Sequence, residues 1–109
     1  MTINERSKEI NALLAGCLAL LESKGRAYSG EEDANSNFKR NATLLGMTKY
    51  QILAVYMNKH LDSINNAIKY NPEMPDDETE GMKGRIQDAI NYLSILYTLI
   101  VEDTPKKGI

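Results

Sequence analysis

Apolar residues recur along this chain at steps of three and four, the period of one helix face, in four runs separated by polar breaks. The first run follows Thr2-Ile-Asn-Glu5, where the hydroxyl of Thr2 can accept from the backbone N–H of Glu5 and the Glu5 carboxylate can reach back, as in a capping box. Ile3, Ile10, Leu13, Leu14, Cys17, Leu18 and Leu21 then form one stripe, with Arg6, Lys8, Glu9 and Glu22 off it. This predicts a helix over 3–23 with its stripe on the core and Gly25, behind Lys24, as its stop. A second helix is predicted over 34–45, capped by Asp33, with Phe38, Ala42 and Leu45 inward and Gly46 at its end. Thr48-Lys-Tyr-Gln51 repeats the capping-box pattern, with Met47 placed to staple onto Ile52, and opens a third helix over 48–70. Ile52, Tyr56, His60, Ile64 and Ile68 share one row of it, flanked by Leu53, Met57 and Leu61. Asn71-Pro-Glu-Met-Pro75 interrupts, since proline removes a backbone donor and blocks continuation. Asp77-Glu-Thr-Glu80 caps a fourth helix over 77–102, whose long apolar face is Met82, Ile86, Ala89, Ile90, Leu93, Leu96, Tyr97 and Ile100.

The expected architecture is therefore all-α: a single four-helix bundle-like domain over 1–103, with one long polar loop between the first two helices and a disordered tail over 104–109. The connections are otherwise short, so consecutive helices should run antiparallel. At 109 residues and 42% hydrophobic composition the chain supports one core. The apolar arcs of its two long helices are wider than four helices can cover, which predicts a homo-oligomer.

Charge and cysteine content narrow the function. A net charge of −2 and a pI near 5.4 argue against a protein held to duplex nucleic acid by phosphate neutralisation. The single Cys17 excludes an intramolecular disulfide and a cysteine-based zinc site, and on the apolar stripe it reads as a buried hydrophobe. No run approaches a membrane span, and with no signal-peptide pattern the expected compartment is the cytoplasm.

Candidate chemistry gathers in the polar stretch 24–38. Lys24 and Arg26 offer cations for phosphate, Tyr28 a ring for stacking, and Asp33 and Asn37 oxygens and an amide for a sugar or base. Glu31 and Glu32 read as solvated charge. His60, on an inward row with no second histidine or cysteine to accompany it, reads as a core or pocket-edge residue. Lys59 and Asp62 form either a surface pair or a pocket pair. On the fourth helix Glu78, Gly81, Arg85, Asp88 and Tyr92 share a row, either a surface ion pair or a close approach made possible by Gly81 and Gly84.

The succession Lys24-Gly-x-x-Tyr28, Asp33-x-x-x-Asn37-Phe38, Lys59-His60 and Glu80 through Arg85-Ile-x-Asp88-x-x-x-Tyr92 resembles the nucleotide modification associated domain family of bacteriophages and prophages. The resemblance implies a helical viral protein of the host cytoplasm acting in nucleotide metabolism, with Lys24, Tyr28, Asp33, Asn37, Lys59, His60, Arg85 and Asp88 at the matching positions. A more distant likeness is to the all-α nucleotide pyrophosphohydrolases, but the middle helix carries Lys59-His60-Leu-Asp62 where those enzymes carry a run of glutamates. Two principal readings follow. One is a nucleotide-binding protein that captures a nucleotide or nucleotide signal, its phosphates on Lys24, Arg26, Lys59 and Arg85 and its base or sugar on the 24–38 loop with Tyr28 and Asn37, His60 being a further ligand-binding position. The alternative is a magnesium-dependent hydrolase with Mg2+ on Asp33 and Asp88. A helical protein-interaction module is the third.

Overall fold

A computed structural model describes residues 1–76 and 81–106. Among them the fold is all-α, with four helices and no strand: α1 (Ile3–Ser29), α2 (Ser36–Leu45), α3 (Lys49–Tyr70) and α4 (Met82–Asp103). Both capping boxes form. Thr2 Oγ1 accepts from Glu5 N at 3.1 Å, and Thr48 Oγ1 accepts from Gln51 N at 3.1 Å while Gln51 Oε1 returns to Thr48 N at 2.9 Å. The expected capping by Asp77–Glu80 and the helix start at 77 lie outside the described residues, as do the last three residues of the expected tail. No described helix is long and apolar enough to cross a membrane.

The helices differ from expectation at the first break. Gly25 does not stop α1, which runs on to Ser29 and ends at Gly30, where φ is 79°, a left-handed value glycine adopts without strain. The added turn is secured by α2. Arg40 Nη2 donates to Tyr28 O at 2.8 Å and Ser36 Oγ donates to Ser29 O at 3.1 Å, satisfying carbonyls that a helix end leaves orphaned. The long loop thus shrinks to 30–35. Asp33 does not cap α2. The N-cap is Asn35, without a side-chain cap, and Asp33 Oδ1 instead accepts from Asn35 N at 3.0 Å.

The core lies between α2, α3 and α4. Phe38, Ile52, Leu53 and Leu99 form it, with Tyr50, Met57, Tyr92, Ile95 and Leu96 packed around them. Tyr50 meets Leu99 and Asp103 while His60 meets Arg85, so α3 and α4 run antiparallel. Helix α1 touches α4 and α2 but not α3, and its described stripe is not core: only Cys17 is buried. There Cys17 Sγ donates to Gln87 O at 3.9 Å, and a Cβ on Gly16 would sit 3.4 Å from Gln87 Nε2, which marks the α1–α4 crossing. Helix α4 is also turned from its expected orientation. Arg85, Ala89, Asn91 and Leu99 are buried, whereas Ile86, Leu93, Tyr97 and Ile100 are exposed. Leu45, expected inward, is exposed too. Gly81 has a φ of 77° at the N-cap of α4 and Gly84 faces open space, so no close approach explains either glycine among the described residues.

A charged cluster ties the 30–35 connection to the end of α4. Lys39 Nζ donates to Asp33 Oδ2 and to Glu102 Oε2, each at 2.8 Å, and Asn35 Nδ2 donates to Glu102 Oε1 and to Thr98 Oγ1. The Lys39 ammonium, followed by the Asn35 donor, holds both carboxyls below their ordinary range, and the two carboxylates hold Lys39 above its own. Nearby, Lys49 Nζ donates to Asp103 Oδ1 at 2.7 Å and Tyr50 Oη donates to Asp103 Oδ2 at 2.7 Å, which raises the Tyr50 phenol and lowers the Asp103 carboxyl.

Leu53 is 1% exposed, and Leu53→Ala should cost about 2–5 kcal/mol of unfolding free energy, through lost transfer energy and the cavity left behind. Thr48→Ala should cost about 1 kcal/mol. Equilibrium urea unfolding checks both, and a Leu53→Ala loss smaller than that of Thr48→Ala would contradict the core placement. The Lys39 cluster gives an acid limb. Because folding lowers the carboxyl pKa values, its stabilisation is complete above their ordinary values of 3.8 and 4.5 and is lost as pH falls through the lower folded values. Both carboxylates are partly exposed, so the effect is modest. Between about pH 6 and about pH 3 the unfolding midpoint of the wild type should fall further than that of Lys39→Met; equal falls would place the acid limb elsewhere.

Candidate functional site

A cavity of about 690 Å³ lies between the second half of α1, residues 34–38 and the middle of α4. Four aromatic rings line it, Tyr28, Phe38, Tyr92 and Tyr97, with the amides of Asn35, Asn37 and Asn91 among them and Lys24 and Asp88 as its charged groups. An apolar hollow of this size with a few convergent polar groups is the usual form of a small-molecule site.

Each wall has a local cause. Extension of α1 past Gly25 carries Tyr28 to the cavity. Ser29 Oγ donates to Asn37 Oδ1 at 2.7 Å and accepts from Asn37 N at 3.2 Å, which orients that amide at the rim. Asn35 Nδ2 is held by Thr98 and Glu102. Tyr92 is fixed between two rings: it stacks on Tyr56 at 6.3 Å between centroids and on His60 at 5.5 Å, while Phe38 meets Tyr56 edge-on at 6.5 Å. Such a ladder through α2, α3 and α4 holds the Tyr92 ring in place by packing.

Beside this ladder the polar row of α4 meets α3 and α1. Arg85 Nη1 lies 3.2 Å from His60 Nδ1, both residues being buried. Guanidinium N–H groups only donate, so Nδ1 accepts and the ring proton belongs on Nε2. His60 Nδ1 also lies 3.7 Å from Asp88 Oδ2, a distance too long for a hydrogen bond and with no proton on that nitrogen to share. Asp88 Oδ1 is 3.7 Å from Lys24 Nζ, a loose pair whose lysine is half exposed. Burial and the Asp88 charge raise the Cys17 thiol, which keeps it protonated and unreactive, in agreement with its reading as a buried hydrophobe.

Of the residues singled out in the sequence, Lys24, Tyr28, Asn37 and Asp88 line the cavity, and His60 and Arg85 stand behind Asp88. Three others are not brought there. Arg26 Nε donates to Glu31 Oε1 at 2.9 Å on the exposed side of α1, Lys59 is exposed on α3, and Asp33 belongs to the Lys39 cluster. The two aspartates expected to share a metal therefore sit in separate clusters. Among the described residues no three histidine, cysteine or carboxylate side chains gather to hold a metal ion, and Glu78 and Glu80 lie outside those residues. Asn35, Asn91 and Tyr97 line the cavity without having been singled out. Asn91 had a signal in its place three residues beyond Asp88; Asn35 had none, and Tyr97 read only as part of the apolar face of the fourth helix. Comparison with known protein families, with curated proteins and with solved structures finds no match to this chain.

Proposed function

We propose that this protein binds a nucleotide or nucleotide-derived small molecule in the cavity between α1 and α4, without breaking its bonds. The observation that carries the reading is the composition of that cavity, in which four aromatic rings, three asparagine amides and one lysine converge on a volume suited to a base and sugar. The rings supply planar faces, and stacking on an aromatic side chain contributes about 1–3 kcal/mol per base. Asparagine amides offer both donors and acceptors, which suits the edge of a base or a ribose hydroxyl.

Phosphate would meet Lys24. Its present partner, Asp88, sits 3.7 Å away, and a phosphate oxygen can outcompete that loose pair through a shorter charge-assisted hydrogen bond. Arg85 supports the site from behind by orienting His60 and does not line the cavity. The hydrolytic alternative needs carboxylates converging on one cation, and the separation of Asp33 from Asp88 makes binding the better-supported reading.

Calorimetric titration with a panel of nucleoside mono-, di- and triphosphates, with and without magnesium, alongside a phosphate-release assay, tests the proposal. Binding without released phosphate is expected. Lys24→Met should weaken the best ligand roughly ten- to hundredfold, the loss of a hydrogen bond to a charged group. Asp88→Asn should leave affinity intact or tighten it, because the carboxylate competes for Lys24. Magnesium-dependent phosphate release that disappears in Asp88→Asn would establish the enzyme instead, and no binding across the panel would refute the reading.

A further inference from the structure

The first twelve residues of the chain, including the opening turns of α1, are all exposed, and none of the buried residues of α1 lies among them. An unsupported stretch of this length is marginal as a helix in water even in favourable sequences. It is also not a polar stretch. Ile10, Leu14 and Leu18 continue along one side of α1, and on α4 Ile86, Ile90, Leu93, Tyr97 and Ile100 follow one another at steps of four and three, the spacing of a helix–helix seam. Leu14 is 48%, Leu18 57%, Leu93 52% and Tyr97 70% exposed.

Area decides what covers this face. The chain presents 8259 Å² to solvent, whereas a compact monomer of 12.2 kDa presents about 6,100 Å². The radius of gyration, 16.4 Å, exceeds the roughly 13 Å of a compact domain of this length in the same sense. The excess is about 2,200 Å², more than the approximately 800 Å² each partner buries in a standard stable interface and in the range of obligate homodimers. The projecting turns carry Glu5, Arg6, Lys8 and Glu9, charges of both signs that two copies can lay against each other without net repulsion.

We infer that a second copy of this chain packs on the face made by the first half of α1 and the Leu93–Tyr97 side of α4. Leu18, Leu93 and Tyr97 belong at once to that face and to the cavity lining, so the second copy walls the open side of the cavity, and the site is incomplete in a single chain. The inference rests on area and exposure and stands whether or not the cavity takes a nucleotide.

Light scattering on the full chain at micromolar concentrations tests it. The expected mass is at least twice 12.2 kDa; a mass of 12.2 kDa throughout overturns the inference. The double variant Leu14→Glu with Leu93→Glu should run at 12.2 kDa with its helical circular dichroism retained, while Leu44→Glu, on an exposed position away from the face, should keep the wild-type mass. An assembly unaffected by the double variant but dissociated by Leu44→Glu would place the interface elsewhere and overturn the assignment. If the double variant fails to fold, amide deuterium exchange on the wild type decides. Protection across 5–16 that is lost on dilution supports a second copy, and exchange at the rate of an unpacked peptide at every concentration refutes it.

Discussion

The buried guanidinium of Arg85 constrains how α4 can be turned. An arginine cannot shed its charge, and a charge taken out of water needs hydrogen-bonding partners or it costs several kcal/mol. His60, placed inward by the row it shares with Ile52, supplies an acceptor at 3.2 Å. With Arg85 directed at α3, the same side of α4 carries Asp88 and Tyr92 inward as well, since they follow three and seven residues on. The flank that carries Ile86, Leu93 and Tyr97 is exposed. The burial of this polar side goes with two features that look unrelated: a cavity with charged groups among apolar walls, and a long helix with several of its apolar residues in solvent.

Local signals were legible and long-range ones were not. The Thr2–Glu5 and Thr48–Gln51 boxes are complete within four residues, and the helices they open begin where those patterns put them. Gly25 misled because its penalty, about 1 kcal/mol against alanine, is small beside the hydrogen bonds that Ser36 and Arg40 bring to the last turn of α1. Periodicity identified the stripes of α1 and α4 but is silent on what covers them, and Arg85 settled that for α4. At the site, Lys24, Tyr28, Asn37 and Asp88 stood out because they fall off the apolar stripes. Asn35 did not, and neither did the Lys39–Glu102 pair, whose members lie 63 residues apart and share no local pattern. Asp33 shows the same limit from the other side: a carboxylate in a promising loop, committed to a lysine on the following helix.

The cavity has unequal walls. On one side the Phe38, Tyr56, Tyr92 and His60 rings interlock across three helices and adjoin the core. On the other, α1 buries a single side chain and is held mainly at the Gly16–Cys17 crossing and at its C-terminal turn. Segments with few buried contacts open at lower free energy than the core. The cavity therefore has a fixed wall in α4 and a compliant one in α1.

The bond from Lys39 to Glu102 also has a meaning in time. On the ribosome the first three helices are made before α4, and N-terminal parts generally begin to fold first. Asn35, which lines the cavity, reaches its side-chain partners only in the last two turns of α4, at Thr98 and Glu102. A nascent chain can therefore form α2 and α3 against each other while this rim of the cavity is still unset, and the rim is completed only once the end of α4 has been made.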